Sequence, residues 1–214
     1  MDFRLIEQEL YSAVISDVLD GMGFTNQATR STFFPYTGIK KLVGRCRTTL
    51  WSDMFHRDEA PYELELEAVD SCLPGDVIIA AAHGSERSGI FGELLATAAR
   101  NSGCAGVIVH GAVRDVAKMR EMGFPVFATA KNPYDSQNRQ RVIDLDVTVV
   151  IDGVTFNPGD LVMADEDGIV VIPKAIEEVV LEAAFQKVKA ENRSRDAIKN
   201  GMKAQVAYQT FGIL

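Results

Sequence analysis

The stretch "VIVHGAVRDVAKMREMGFPVFA", which runs from Val107 to Ala128, decides the predicted fold. Its apolar run, glycine, helical pattern, short turn and second apolar run predict a strand, a helix and a strand in succession. Arg114 and Asp115 stand side by side where the first strand gives way to the helix. An aspartate near a helix N-terminus interacts favourably with the helix dipole, so the pair could be a solvated helix start. The other interpretation is that the pair lies in a functional site.

A second junction of the same kind precedes this one. The segment "SGIFGELLATAAR" (residues 88–100) places Gly89 and Gly92 before a helix that begins near Glu93. N–H groups in the first turn of a helix have no partner within the helix and can cradle an anion. Consecutive parallel strands usually lie side by side, so their C-terminal ends open into one crevice. We therefore expect one site to contain Glu93, the backbone amides of Leu94 and Leu95, Arg114 and Asp115.

The residue types in this predicted site suit chemistry beside a 2-keto acid. The forked cation of Arg114 matches a carboxylate or an enolate oxygen. Asp115 offers a hard oxygen ligand, and Mg²⁺ commonly keeps several waters while it binds one carboxylate and its substrate. Glu93 could position or deprotonate a water or a hydroxyl. The two site loops contain no lysine, which argues against a Schiff-base mechanism.

The rest of the chain reads as alternating strands and helices. Residues 5–23 predict one amphipathic helix, and residues 62–73 predict another. "PGDVIIAA" and "PGDLVMAD" each predict a turn before a strand, and Asp152-Gly153 predicts a hairpin. A long helix is expected to begin near Lys174. We predict a single α/β domain over residues 1–214, with a helical C-terminal arm over about 174–214.

Composition excludes several classes of protein. The chain has 214 residues, 47% of them hydrophobic, and a net charge of −8, which disfavours a nucleic-acid partner. The three cysteines lack CxxC spacing, which argues against a disulfide framework or a zinc ribbon. We find no run that could span a bilayer and no signal peptide, so we expect a cytoplasmic protein without a membrane partner.

Other motifs are weaker. "HGSERSG" is not a nucleophile elbow, and neither a P-loop nor a Rossmann fingerprint is present, which also makes a methyltransferase a poor interpretation. His110 precedes the key turn and could touch the site or form a hydrogen-bonded wall. Cys104 precedes an apolar strand and is expected to be a small core residue.

Three stretches together resemble one known family: residues 91–128, "VTFNPGDLVMADEDGIVVIP" (154–173) and "SAVISDVLDGMG" (12–23). This family contains 4-hydroxy-4-methyl-2-oxoglutarate/4-carboxy-4-hydroxy-2-oxoadipate aldolases and the regulator of ribonuclease activity A. The resemblance spans nearly the whole chain. It implies an αββα sandwich like the swivelling phosphohistidine domain. It also implies a homotrimer or a dimer of trimers, with sites between subunits.

The resemblance also implies roles for individual residues. Arg114 would bind the pyruvyl oxygen and stabilise the enolate, and Asp115 would hold Mg²⁺ or Mn²⁺, largely through water. Glu93 would order a water near the reacting carbon. The backbone at Gly92, Leu94 and Leu95 would hold the substrate carboxylate. A glutamate from the neighbouring subunit's C-terminal helix, here assigned to Glu191, would reach the site.

The function implied is divalent-metal-dependent retro-aldol cleavage of a 4-hydroxy-2-keto dicarboxylic acid to pyruvate and a keto acid. Oxaloacetate decarboxylation passes through the same enolate and is expected too. The alternatives are a non-catalytic protein-binding regulator of ribonuclease activity and a sugar-acid enzyme with another leaving group. Retention of Asp115 favours an enzyme over a pure inhibitor. Lys118 replaces an acid of the aldolases and His110 replaces a frequent Asp, so both bear on substrate identity and metal affinity.

Overall fold

The computed structural model describes residues 2–213. Its helices are α1 (Phe3–Glu9), α2 (Ser12–Gly21), α3 (Glu63–Asp70), α4 (Glu93–Asn101), α5 (Val116–Glu121), α6 (Glu177–Lys199) and α7 (Ala204–Phe211). Its strands are β1 (Phe34–Pro35), β2 (Leu42–Asp53), β3 (Asp76–Ala81), β4 (Gly89–Phe91), β5 (Gly106–Val113), β6 (Val126–Lys131), β7 (Gln140–Leu145), β8 (Val149–Ile151), β9 (Val154–Phe156), β10 (Leu161–Ala164) and β11 (Ile169–Ile172).

The strands form one mixed sheet and a separate hairpin. The order in the main sheet is β1-β6-β5-β3-β2-β10-β11, with β4 paired to β5 and β7 paired to β2. Strands β2, β3, β5 and β6 are parallel neighbours, and β10 and β11 add antiparallel pairs. The predicted mixed α/β class is therefore confirmed. The likeness to the swivelling phosphohistidine domain stays a prediction.

Side chains of the central strands alternate between two cores, as the pleat requires. From β3, Ile78 and Ala80 face helices α3, α4 and α5, whereas Val77 and Ile79 face the β8–β9 hairpin. Because both faces of β3 and β5 are covered, these strands read as continuous apolar runs. A third core lies where α1, α2 and α6 pack on the other face of β10 and β11.

The strand–helix–strand prediction around Arg114 is confirmed by β5, α5 and β6. The hairpin prediction is confirmed as well, since β8 and β9 flank Asp152 and Gly153, which have φ angles of 54° and 81°. Two positive φ angles are the requirement of a type I′ turn, which Asp-Gly meets well.

The single N-terminal helix predicted over residues 5–23 is wrong, because the chain breaks into α1 and α2. Leu10 is extended, with φ −105° and ψ 162°, and its side chain is fully buried. The buried carboxylate of Asp165 accepts hydrogen bonds from the Ser12 N–H (2.7 Å) and Oγ (2.6 Å). A distant aspartate thus satisfies donors at the start of α2, and no local pattern shows this.

The C-terminal segment is largely helical. A 3₁₀ turn (Lys174–Ile176) leads into α6, whose Lys187 ammonium lies 2.9 Å from the Asp17 carboxylate on α2. Within residues 2–213, no helix combines the length and the hydrophobicity needed to cross a membrane. The division into one domain and an arm stays a prediction.

The core of β10 provides a stability test. Leu161 is 1% exposed, so Leu161→Ala should lower the free energy of unfolding by about 2–5 kcal/mol through lost burial and a residual cavity. The matched control is Leu73→Ala, at a site that is 64% exposed, which should stay within about 0.5 kcal/mol of the parent. Denaturant unfolding of both variants measures the difference, and equal losses would contradict the assigned core.

Candidate functional site

Two strand–helix junctions meet at one cavity of about 320 Å³. Strand β4 pairs with the end of β5, and the Arg114 N–H donates to the Phe91 carbonyl over 3.0 Å. This pairing holds the β4–α4 and β5–α5 turns side by side. Of the predicted site residues, the cavity is lined by Gly92, Leu94, Leu95, Arg114 and Asp115.

Arg114 is held between two carboxylates. Its Nη1 lies 2.7 Å from Asp135 Oδ2, and its Nε lies 3.6 Å from Asp115 Oδ2. The guanidinium is thereby oriented, and about a third of the side chain stays exposed to the cavity and solvent. A fixed, partly accessible guanidinium suits recognition of a planar anion.

Asp115 does not cap its own helix. Its backbone is left-handed, with φ 54° and ψ 30°, a conformation that aspartate tolerates better than most residues. Its Oδ2 accepts a hydrogen bond of 3.3 Å from the Glu93 N–H at the start of α4. The adjacent Arg-Asp pair therefore links the two junctions, and it is not a simple solvated start of α5.

Gly92 leaves the space for this link. Its backbone is extended, so a side chain is excluded by contact and not by conformation. A Cβ on Gly92 would lie 2.6 Å from Asp115 Oδ2 and 3.0 Å from Arg114 Cγ. Any larger residue would push the pair away from α4.

The start of α4 supplies backbone donors. The first i→i−4 bond of the helix runs from the Ala96 N–H to the Gly92 carbonyl, over 3.0 Å. The N–H groups of Leu94 and Leu95 come before that bond, in the turn that helix geometry leaves without internal partners. Both residues line the cavity, so these groups can receive an anion beside Arg114.

Glu93 and Glu191, two acids predicted for the site, are not among the residues that line the cavity. The Glu93 carboxylate turns back along α4 and accepts a hydrogen bond of 3.1 Å from Thr97 Oγ1. Glu191 sits on α6 in a separate cleft of the same chain, bonded to the Tyr11 hydroxyl and 3.8 Å from Arg195. Donation of Glu191 by a neighbouring subunit, and a water held by Glu93, stay predictions.

His110 and Lys118 point elsewhere. His110 Nε2 lies 3.8 Å from Asp152 Oδ1, at the turn of the β8–β9 hairpin. Burial, with help from His83, lowers the pKa of His110 against the opposing effect of Asp152, which favours the neutral ring. Lys118 is exposed on α5 and pairs with Glu121 over 3.6 Å.

Asp135 and Tyr62 complete the site and were missed by sequence reasoning. The Tyr62 hydroxyl donates to Asp135 Oδ1 over 2.6 Å, and the Gln137 N–H donates to the same oxygen over 2.7 Å. Burial alone would raise the pKa of Asp135, but these bonds and the charge of Arg114 lower it, so Asp135 is ionised. The available signal was position, because Asp135 follows β6, the next parallel strand after β5.

Glu65 is a third missed residue. It lines the cavity from α3 and is 7% exposed. Burial, followed by the negative charge of Asp135, raises the pKa of Glu65 to about 8, although a Ser136 hydrogen bond and Arg114 oppose the rise. Glu65 is therefore mostly protonated at pH 7. The signal in the sequence was an acid on the buried helical stripe that continues through Ala68, Val69 and Cys72.

The side chains fit a hydrated metal ion and not a protein-caged one. Among residues 2–213, no group of three or more His, Cys, Asp or Glu side chains could hold a metal ion. Asp115 offers one half-exposed carboxylate at the mouth of the cavity. A hard cation such as Mg²⁺, which keeps several waters and takes other oxygens from its substrate, is compatible with that donor.

A family model described as "RraA-like: Aldolase/RraA" matches residues 12–171 of the chain. A protein of Halalkalibacterium halodurans named "Putative 4-hydroxy-4-methyl-2-oxoglutarate aldolase" is 33% identical over 208 residues, which cover 97% of this chain and 94% of the relative.

Two solved structures share the fold of this chain. RraAS2 of Streptomyces coelicolor, described as an unusual member of the RNase ES inhibitor RraA protein family, is 31% identical, with a TM-score of 0.77 over 90% of this chain and 94% of that one. An uncharacterised protein of Pseudomonas syringae has a TM-score of 0.85 at 24% identity, covering 99% of this chain and 98% of that one, and shows the shared fold alone.

The buried carboxyl of Glu65 should make stability depend on pH. Its pKa is higher in the folded state than the ordinary 4.5, so its contribution is complete below about pH 4.5 and is lost as pH rises through about 8. Relative to Glu65→Gln, the wild type should lose on the order of 3 to 5 kcal/mol of unfolding free energy across that window.

Urea unfolding at several pH values checks this difference. The control is Glu67→Gln, an exposed acid on the same helix, which should track the wild type at every pH. A difference between wild type and Glu65→Gln that stays constant from pH 4 to pH 9 would contradict the assignment.

Proposed function

The chain belongs to the RraA-like family, and from that premise we propose that it is a carbon–carbon lyase. The reaction is divalent-metal-dependent retro-aldol cleavage of a 4-hydroxy-2-keto dicarboxylic acid to pyruvate and a second keto acid. Oxaloacetate decarboxylation, which forms the same pyruvate enolate, is the expected accompanying activity. The names of the curated relatives support an aldolase, and the site supports the enolate chemistry.

One observation carries the proposal. A single cavity holds an oriented guanidinium, the N-terminus of α4 with the amides of Leu94 and Leu95, and a half-exposed carboxylate. The first two match the 2-keto group and the carboxylate of a pyruvyl moiety. The third is a hard oxygen donor directly beside them.

The mechanism follows from these positions. The amides of Leu94 and Leu95 bind the substrate carboxylate, and this places the 2-keto oxygen at Arg114. When the C3–C4 bond breaks, its electron pair moves into the pyruvyl unit and forms an enolate whose oxygen carries the charge. Arg114 stabilises that oxygen, and Asp135 and Tyr62 hold the guanidinium in place before the charge develops. Donors oriented in advance are the most effective form of electrostatic catalysis.

Mg²⁺ or Mn²⁺, held by Asp115 and water, would supply Lewis-acid polarisation of the 2-keto group. The Glu93 N–H also donates a hydrogen bond to the Asp115 carboxylate, and this bond keeps the carboxylate next to the cavity. The base that removes the 4-hydroxyl proton is assigned to a water held by Glu93 or to Glu191 of a neighbouring subunit. For Glu191 to act in this way, its contacts with Tyr11 and Arg195 would have to break.

A neighbouring subunit is proposed to cover the cavity. Leu94 and Leu66 lie on its rim with 77% and 48% of their surface exposed. Large apolar side chains beside a polar site are typical of an interaction surface. We propose a homotrimer or a dimer of trimers, which light scattering of the purified protein would test.

The alternative function is regulation of a ribonuclease without catalysis. It is favoured by the likeness to RraAS2, whose description refers to RNase ES inhibition. An inhibitor needs neither a fixed guanidinium at an anion cradle nor a carboxylate beside it. One assay distinguishes the two functions, because only the lyase releases pyruvate from a 2-keto acid.

Arg114→Ala should abolish that release. We expect a fall of about 10²–10³-fold or more in kcat for pyruvate formation from oxaloacetate with Mg²⁺, because the enolate loses its fixed cation. Arg120→Ala, an exposed arginine on α5, is the control and should keep full activity. Pyruvate formation that survives a chelator, or Arg114→Ala with wild-type turnover, would contradict the mechanism, and no turnover of any 2-keto acid would favour the regulator.

Gly92→Ala should leave a folded protein with an impaired site. The added methyl would meet Asp115 and Arg114, and a displacement near 1 Å can cost about 10²-fold in rate. Gly21→Ala, where a Cβ meets nothing within 4 Å, is the control. Circular dichroism reports the fold and pyruvate release the activity, and full activity in Gly92→Ala would refute the close-contact argument.

A further inference from the structure

We propose that Glu65 is the acid that protonates carbon 3 of the pyruvate enolate, a role that rests on the lyase function proposed above. The reaction steps described above leave this proton without a named donor. The proposed role also explains why an acid occupies the buried face of α3.

The position of Glu65 is that of a reacting group and not of a surface acid. It lines the same cavity as Arg114 and Asp115, yet it is 7% exposed. Its other side faces an apolar wall that contains Trp51, Phe91 and Val142. A side chain with one face in the core and one in the cavity is shielded from bulk water but open to a bound substrate.

Two charged side chains and one phenol act on Glu65. Across the cavity are Asp135 and the guanidinium of Arg114, and at the head of its own helix is Tyr62. The neighbouring strands and α4 present apolar or hydroxyl groups, among them Leu95 and Thr49. Glu65 therefore has one negative neighbour, Asp135, and one positive neighbour, Arg114, among apolar and hydroxyl-bearing side chains.

This arrangement separates the two carboxyl groups into two roles. Asp135 is ionised because Tyr62, Gln137 and Arg114 stabilise its charge, whereas Glu65 is kept mostly protonated by burial and by Asp135. When the surroundings of two nearby acids push their pKa values apart, the acid with the higher pKa can donate a proton and the other stays ionised. Here Asp135 is the anchor for Arg114, and Glu65 is the proton donor.

The proton transfer exchanges one bond for another. The O–H bond of Glu65 breaks and a C–H bond forms at carbon 3, using the electron pair of the enolate as the C2=O bond is restored. Glu65 is left as a carboxylate. In retro-aldol cleavage the proton released by the 4-hydroxyl returns to it, and in decarboxylation the proton comes from solvent.

The reverse of this step gives a direct test. In D₂O, the carboxylate form of Glu65 should remove a methyl proton from bound pyruvate and return a deuteron, and proton NMR follows the loss of the methyl signal. With Mg²⁺ present, we expect the wild type to exchange these protons and Glu65→Gln to exchange them at least about 10²-fold more slowly. Glutamine mimics the protonated carboxyl in size and charge, so this variant should stay folded.

Three further measurements distinguish proton transfer by Glu65 from a structural role of this residue. The wild-type exchange rate should rise with pH and level off above about 8, and the remaining exchange in Glu65→Gln should lack that rise. Glu65→Asp should recover part of the exchange because it restores a carboxyl, and the exposed control Glu67→Gln should match the wild type. Carbon dioxide release from oxaloacetate should fall less than exchange in Glu65→Gln, since cleavage precedes protonation.

The outcomes are distinct. Cleavage in the wild type together with normal exchange in Glu65→Gln would overturn the role of Glu65 alone. Exchange without cleavage of oxaloacetate or any 4-hydroxy-2-keto acid would overturn the lyase function and leave Glu65 as the acid at carbon 3. Absence of both reactions from the wild type would overturn both proposals.

Discussion

The close approach of two strand–helix junctions at Gly92 is the contact on which the rest of the site depends. Parallel pairing of β4 with β5 brings the turns together, and the missing side chain of Gly92 lets the Asp115 carboxylate reach the Glu93 N–H. Asp115 enters a left-handed conformation to make this contact. One short link therefore sets where the guanidinium, the carboxylate and the amides of α4 stand relative to each other.

Charge in the cavity is organised around a single arginine. Arg114 contacts Asp135 closely and Asp115 more loosely, so the first carboxylate orients the guanidinium and the second is left available at the mouth. Glu65, in the most apolar position, is the carboxyl that the surroundings keep protonated. Glu65 and Asp135, two acids near one cation, thus differ in protonation state because their burial and hydrogen bonds differ.

Sequence reasoning succeeded where the relevant partners lie close along the chain. The β5–α5–β6 unit and the Asp-Gly hairpin follow from local patterns. The adjacency of parallel strands led to the prediction that Glu93, the amides of Leu94 and Leu95, Arg114 and Asp115 converge; all but Glu93 belong to residues that line one cavity. It failed at Leu10, where the helix breaks, because the Ser12 donors that begin α2 bond to Asp165, about 150 residues away. It also passed over Asp135 and Glu65, which enter the cavity from segments that carry no recognisable motif.

The sequence by itself determined the mixed α/β class, the family resemblance and the pair of junctions at the centre of the site. These features depend on apolar periodicity, on glycine positions and on contacts within one or two neighbouring units, all of which a linear pattern records. Only the tertiary structure decided that Tyr62 and Asp135 hold Arg114, that Glu93 turns to Thr97, that His110 faces the hairpin, and that Glu65 is buried. Each of these depends on which distant surfaces pack together, and the local dielectric and hydrogen bonds that set a side chain's charge exist only after that packing.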